Sequence, residues 1–212
     1  MSLTTLFLSA FAVALSGALA PGPLLTLTIV RSLKKGFWQG PLIILGHAAL
    51  ETALIAVILL GGSFIFEIAA VKKIIFASGG IILVATALSL LKTNAVAGRL
   101  DPENYSSPVK DGGIPSVAAG VIGSLSNPYW LIWWITIGTG LLLQAVEFRI
   151  KGIVVFFSGH ILADLLWYSL VSFSFSHGRK IINDKIYRLI IYACCFFLLT
   201  LAVWFFLKIP AL

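Results

Sequence analysis

The sequence predicts an all-α integral membrane protein: six transmembrane helices arranged as two inverted three-helix repeats. Three observations carry that expectation. The chain of 212 residues is 59% hydrophobic and 11% charged, with a mean hydropathy of +1.05, whereas soluble domains carry about 25% charged residues. Its apolar residues fall into six runs, each near the roughly 20 residues a helix needs to cross the bilayer core. One pattern, glycine, histidine, three apolar residues and an acid, occurs twice: Gly46-His47 to Glu51 in the second run, and Gly159-His160 to Asp164 in the fifth.

The first run, about 3–30, opens like a signal peptide, and Ala18-Leu19-Ala20 imitates a cleavage site. It lacks a basic n-region, Pro21 would follow the cut, and the apolar stretch continues to Val30, so it is expected to be retained as a spanning helix. Ala20-Pro21-Gly22-Pro23 interrupts it. The two prolines remove backbone donors and clash with the preceding turn, and Gly22 tolerates backbone angles that other residues resist. The second run, about 38–66, carries the first glycine-histidine motif, and the third, about 74–91, has no interior charge.

A connection over about 92–115, rich in Pro, Gly, Asn, Ser and Asp, divides the chain into a first repeat (1–92), a linker (93–115) and a second repeat (116–212). The fourth run, about 116–143, is interrupted at Ser126-Asn127-Pro128. The fifth, about 152–175, carries the second motif, and the sixth, about 188–208, closes the chain. With three helices per half, the second half must insert upside down relative to the first. Broken helices in matching positions of two such halves are the sequence signature of a transporter whose site lies at the repeat interface.

Basic residues set the orientation. The odd-numbered connections hold ten lysines and arginines, and the rest of the chain holds five. The odd connections are therefore expected to be cytoplasmic and both termini external. The same distribution, short basic clusters between apolar runs, argues against nucleic acid as the partner of a chain with net charge +7. Cys194 and Cys195 are adjacent within an apolar run; they are poor candidates for bridging each other and read as packing residues.

Among the eight acidic residues, Glu51 and Asp164 alone sit in the middle of an apolar run. A carboxylate at that depth is protonated or partnered by a cation. No lysine or arginine lies at comparable depth, so the partners open to it are His47 and His160 one turn away, a proton, or a cationic group on a substrate. Each broken helix offers backbone N–H groups that can hold a substrate carboxylate, and the Asn127 amide adds donor and acceptor capacity. Trp130, Trp133 and Trp134 share one helical face just after the second break. Trp130 is too near the expected midplane for an interfacial belt, which leaves it lining a pathway or filling core. Ser16, Gly17 and Ala18, and Gly120, Gly123 and Ser124, read as small residues that let helices approach.

Six helices in two halves, Pro21-Gly22-Pro23, Asn127-Pro128 and the paired acid motifs together resemble the LysE/RhtB family over nearly the whole chain. The resemblance implies a prokaryotic inner-membrane exporter of amino acids such as lysine, threonine and homoserine, driven by the proton gradient, with the family's helix 2 and helix 5 acids at Glu51 and Asp164. Two positions depart from the family pattern. Tyr129 stands where lysine often follows Asn-Pro, which removes one partner for a carboxylate, and Leu50 stands where glycine often precedes the helix 2 acid.

The leading expectation is a secondary exporter of amino acids or related small metabolites, with protons and the lipid bilayer as its other partners and no cofactor. The site is expected at Glu51, Asp164, His47, His160, Pro21, Gly22, Pro23, Asn127, Pro128, Tyr129 and Trp130. The alternative is a divalent metal ion exporter, because His47, Glu51, His160 and Asp164 supply two imidazoles and two carboxylates. An intramembrane enzyme has less behind it, since no nucleophile or cofactor motif accompanies the acid–histidine pairs. A homo-oligomer is left open by the sequence.

Overall fold

The computed structural model describes residues 2–19, 22–61, 69–96, 114–178 and 184–209, and all of them are helical or connect helices. Ser2 caps α1 (Leu3–Ala18) by accepting the Thr5 N–H at 3.1 Å. Gly22 is extended, and Pro23 then opens α2 (Pro23–Lys35) at the one turn where its missing N–H costs nothing. The two helices meet at 73°. The expected kink in the first run is thus a sharp corner, and α2 continues past Val30 until Gly36, at φ 91°, ends it.

α3 (Gln39–Leu59) and α8 (Arg149–His177) are the long helices that carry the two motifs. α4 (Ala69–Val96) and α9 (Asp184–Lys208) run through the third and sixth runs. The fourth run is in pieces: α5 (Ser116–Leu125), α6 (Pro128–Trp133), a π-helical turn (Trp134–Gly138) and α7 (Thr139–Val146). The Thr139 hydroxyl donates to the Trp134 carbonyl at 2.6 Å across that turn. By length and composition, three helices among the described residues can cross a membrane (Gln39–Leu59, Arg149–His177 and Arg188–Leu207), and the bent α1–α2 pair makes a fourth. Most of the expected linker, and the basic residues Arg99, Lys110, Arg179 and Lys180, lie outside the described residues.

Packing follows a crossed scheme: α1 lies along α8, α5 along α3, and α4 along α9. Glycine makes the α3–α5 seam possible. A Cβ on Gly46 would overlap the Val117 carbonyl oxygen, and one on Gly120 would overlap that of Ile43. Gly159 does the same on the other seam, where a Cβ would come within 2.7 Å of the Phe7 carbonyl oxygen. Around the α1–α8 seam, Leu6, Ala10, Trp134, Leu142 and Phe156 form one core. A second core joins Val30 and Leu33 of α2 to Leu83 of α4 and Ile191 and Leu198 of α9. Many large apolar side chains, such as Leu60, Phe196 and Leu207, face outward, as expected where the surroundings are lipid.

One end of the bundle is tied by polar side chains. Arg31, 6% exposed, donates to the Ile114 carbonyl (3.2 Å) and the Ser116 hydroxyl (3.1 Å), and Ser116 donates to Gln39. Ser172 of α8 is bonded to the Ser32 hydroxyl (2.6 Å), the Gly40 N–H (3.2 Å) and the Phe37 carbonyl (2.5 Å). These bonds join α2, α3, α5 and α8 at the end that carries Arg31, Lys34 and Lys35.

Candidate functional site

The two motifs meet. α3 presents His47 and Glu51 on one face, α8 presents His160 and Asp164, and all four are buried, Glu51 completely. One ligating atom from each lies within 4.8 Å of the other three. Pairing along each helix, the partnership that the i, i+4 spacing suggests, is present but is not the tightest. His47 Nε2 lies 3.3 Å from its own helix's Glu51 Oε1 and 3.4 Å from Asp164 Oδ2 across the interface. His160 Nε2 lies 3.5 Å from its own Asp164 Oδ2 and only 2.8 Å from Glu51 Oε2. Two local pairs facing across a gap give way to a single cross-linked cluster.

The residues around the cluster hold its members differently. Ser124 has one proton, and it goes to the Gly120 carbonyl at 2.7 Å, so the Ser124 oxygen accepts from His47 Nδ1–H, also at 2.7 Å. That bond leaves His47 Nε2 aimed at the acids. Trp130 and Trp134 both donate their indole N–H to Glu51 Oε1, at 2.9 and 2.8 Å. One oxygen therefore takes two donors, which fixes the carboxylate plane and turns Oε2 toward His160. His160 is held by ring faces instead, with Trp133 at 4.5 Å and Phe156 at 6.2 Å between centroids. Its Nδ1 has no hydrogen-bond partner, and the close approach of its Nε2 to Glu51 Oε2 is not aligned as a hydrogen bond. Asp164 Oδ2 is also buried without a hydrogen-bond partner.

A small cleft, partly open to the outside, borders the cluster, with Gly17, Leu24, Asn127, Trp130, Trp133 and Tyr168 among its walls. The two chain breaks face each other there. A Cβ added to Gly22 would lie 3.5 Å from the Asn127 side-chain nitrogen. Pro23, the first residue of α2, is buried next to the same break. Pro128 is the first residue of α6; its side chain and that of Tyr129 lie outside what is described, as does Pro21. Chemically the site offers two carboxylates, two imidazoles, indole donors and an amide, with apolar and aromatic walls.

Sequence reasoning brought Trp130 here as a wall and left its hydrogen bond to Glu51 unseen. It missed Trp134 and Ser124 as members of the site. The i, i+4 spacing of Trp130 and Trp134 carried a signal for the first omission. Nothing local marked Ser124, which resembles any small packing residue until α5 is laid on α3.

A family model described as LysE type translocator matches residues 15–208. A protein of Bacillus subtilis (strain 168) named "Putative amino acid efflux protein YcgF" is 26% identical over 184 residues, covering 86% of each chain. No solved structure matches.

Proposed function

Because this chain belongs to the LysE type translocator family, and is thereby a membrane transport protein and not an enzyme, we propose that it exports amino acids or related small metabolites across the cytoplasmic membrane of a prokaryote. The observation that carries the reading is the meeting of two helix breaks at one cavity walled by buried acids. The N-terminal N–H groups of α2, with the Asn127 amide, suit a substrate carboxylate. Glu51 and Asp164 suit its ammonium group, and the walls of Leu24, Trp130 and Tyr168 suit an apolar side chain or stem. The matched relative's name supports an amino acid as cargo.

The finer reading is a six-span inverted repeat with both termini external, coupled to protons. The crossed packing supports it, since equivalent pieces of the two halves take equivalent partners: α1 on α8, α5 on α3. Coupling is supported by acids and imidazoles that share the core with no lysine or arginine on the same stretch of α3 or α8. The alternative cargo, a divalent metal ion carried on His47, Glu51, His160 and Asp164, has the ligand chemistry on its side and nothing in the names of relatives.

The test is gradient-driven amino-acid uptake into inverted membrane vesicles. Glu51→Gln and Asp164→Asn are each expected to abolish it while leaving protein in the membrane at normal level. Transport by both variants at the wild-type rate would remove the assigned roles.

A further inference from the structure

We propose that the cluster binds one divalent transition-metal ion of the zinc class, held through His47 Nε2, His160 Nε2, Glu51 Oε2 and Asp164 Oδ2. The ion is not the cargo: it takes the two acids that the exporter reading, on which this rests, gives to the substrate ammonium group and to protons, so the metal-bound form is a locked one and export belongs to the metal-free form.

Distances separate this from a plain ion-pair cluster. Charge-assisted N–H···O bonds run about 2.7–2.9 Å. Four ligands at about 2.0–2.1 Å from a common tetrahedral ion stand roughly 3.4 Å from one another. His47 Nε2 and His160 Nε2 lie 3.4 and 3.5 Å from Asp164 Oδ2, too long for the first and fitting the second. The His160 to Glu51 Oε2 edge, at 2.8 Å, has to widen by about half an ångström, and since the four atoms are bounded at 4.8 Å from one another, the longest edge has to close by up to about 1.4 Å. Three of the four ligating atoms, Glu51 Oε2, His160 Nε2 and Asp164 Oδ2, are buried without a hydrogen bond. Lone pairs that converge on one point and find no proton donor along their axes are what a cation requires.

The surroundings fit as well. A ligating imidazole usually donates its other N–H to a neighbour, which fixes ring and tautomer; His47 Nδ1 does so to Ser124, whereas His160 Nδ1 has no such partner and its ring is held by Trp133 and Phe156 instead. The two indoles on Glu51 Oε1 leave Oε2 as the free ligand atom. Two carboxylates and a dication sum to zero with neutral imidazoles, which removes the cost of charge in an apolar interior. Two imidazoles and fourfold coordination favour zinc or cobalt over magnesium or calcium, which take six or more oxygens. Four protein ligands leave no open position, so the bound ion shuts substrate and protons out of both acids.

The experiment uses untagged full-length protein in detergent, stripped with chelator and titrated with Co²⁺. The expected result is one ion per chain with the visible absorption of tetrahedral cobalt, abolished by Zn²⁺ and untouched by Mg²⁺. His160→Gln should lose the band. Ser124→Ala, which keeps all four ligands, should weaken affinity by about 10–100-fold and carries the test if the ligand variant fails to fold. No band, a band unchanged in His160→Gln, or wild-type affinity in Ser124→Ala would each overturn the proposal. Amino-acid export by metal-stripped protein in proteoliposomes examines the exporter reading separately, so one can fail without the other.

Discussion

Trp134→Phe removes one of the two donors on Glu51 Oε1 and keeps most of the ring. Trp134 is 1% exposed and its N–H lies 2.8 Å from the oxygen. Hydrogen bonds to charged groups contribute about 1.5–3 kcal/mol, and the space left by the lost part of the indole adds roughly 1 kcal/mol. A total near 3 kcal/mol corresponds to a fall in Tm of about 6–12 °C for a chain of this length. Trp130→Phe should cost less, because Trp130 is only half-buried and water or substrate can replace its N–H. Coupling is the sharper measure. In a Glu51→Leu background there is no acceptor, so Trp134→Phe should cost only the roughly 1 kcal/mol of lost packing, a coupling of about 2 kcal/mol. Thermal unfolding of the four purified proteins in detergent gives the cycle. Costs that add to within about 0.5 kcal/mol would refute the idea that the indoles hold this carboxylate.

Three further substitutions probe the packing of the helices. Gly46→Ala forces α3 and α5 apart by on the order of 1 Å to clear the Val117 carbonyl, costing about 3 kcal/mol and breaking the His47–Ser124 bond; Tm and export should both fall. Gly140→Ala in α7, where nothing lies within 4 Å of the added carbon, should instead leave Tm equal or raise it, by up to about 1 kcal/mol of stability. Ser172→Ala strips the hub that bonds Ser32, Gly40 and Phe37, with an expected loss of about 2 kcal/mol and faster hydrogen exchange at the Gly40 amide; unchanged exchange would show that the hub does not hold that end closed.

Much of this site could be read before any helix was placed. A buried acid one turn from a histidine is an energetic anomaly wherever it occurs, and its repetition located both halves of the cluster. The proline breaks likewise announced themselves, because proline acts on its own backbone. What stayed hidden depends on how helices lie against each other. The spacing of His160 and Asp164 promises a contact along α8, yet His160 sits nearer to Glu51 of α3. Gly120 reads as a packing residue in the sequence and the Ile43 carbonyl does lie against it, but nothing marked Gly159 as the point where the Phe7 carbonyl comes in. Ser124 is polar in a run of small residues, and only the α3–α5 crossing makes it a histidine's partner. The fourth run's π-helical turn, Trp134–Gly138, leaves no mark in an apolar pattern.

The glycine seams also decide what can move. Backbones in carbonyl-to-glycine contact do not slide past one another without unlocking along their length. α5 must therefore travel with α3, and α1 with α8, so the rigid bodies of any rearrangement are assembled across the two sequence halves instead of within them. Gly40 adds a third such contact: a Cβ there would come within 2.5 Å of the Tyr168 carbonyl oxygen, which pins α3 to α8 at the end held by Ser172, so the two helices can part at the cluster only by pivoting about that point. The His160–Glu51 contact, at 2.8 Å, then closes α3 onto α8 on the far side of that pivot, so the two helices are fastened to each other at two separate levels.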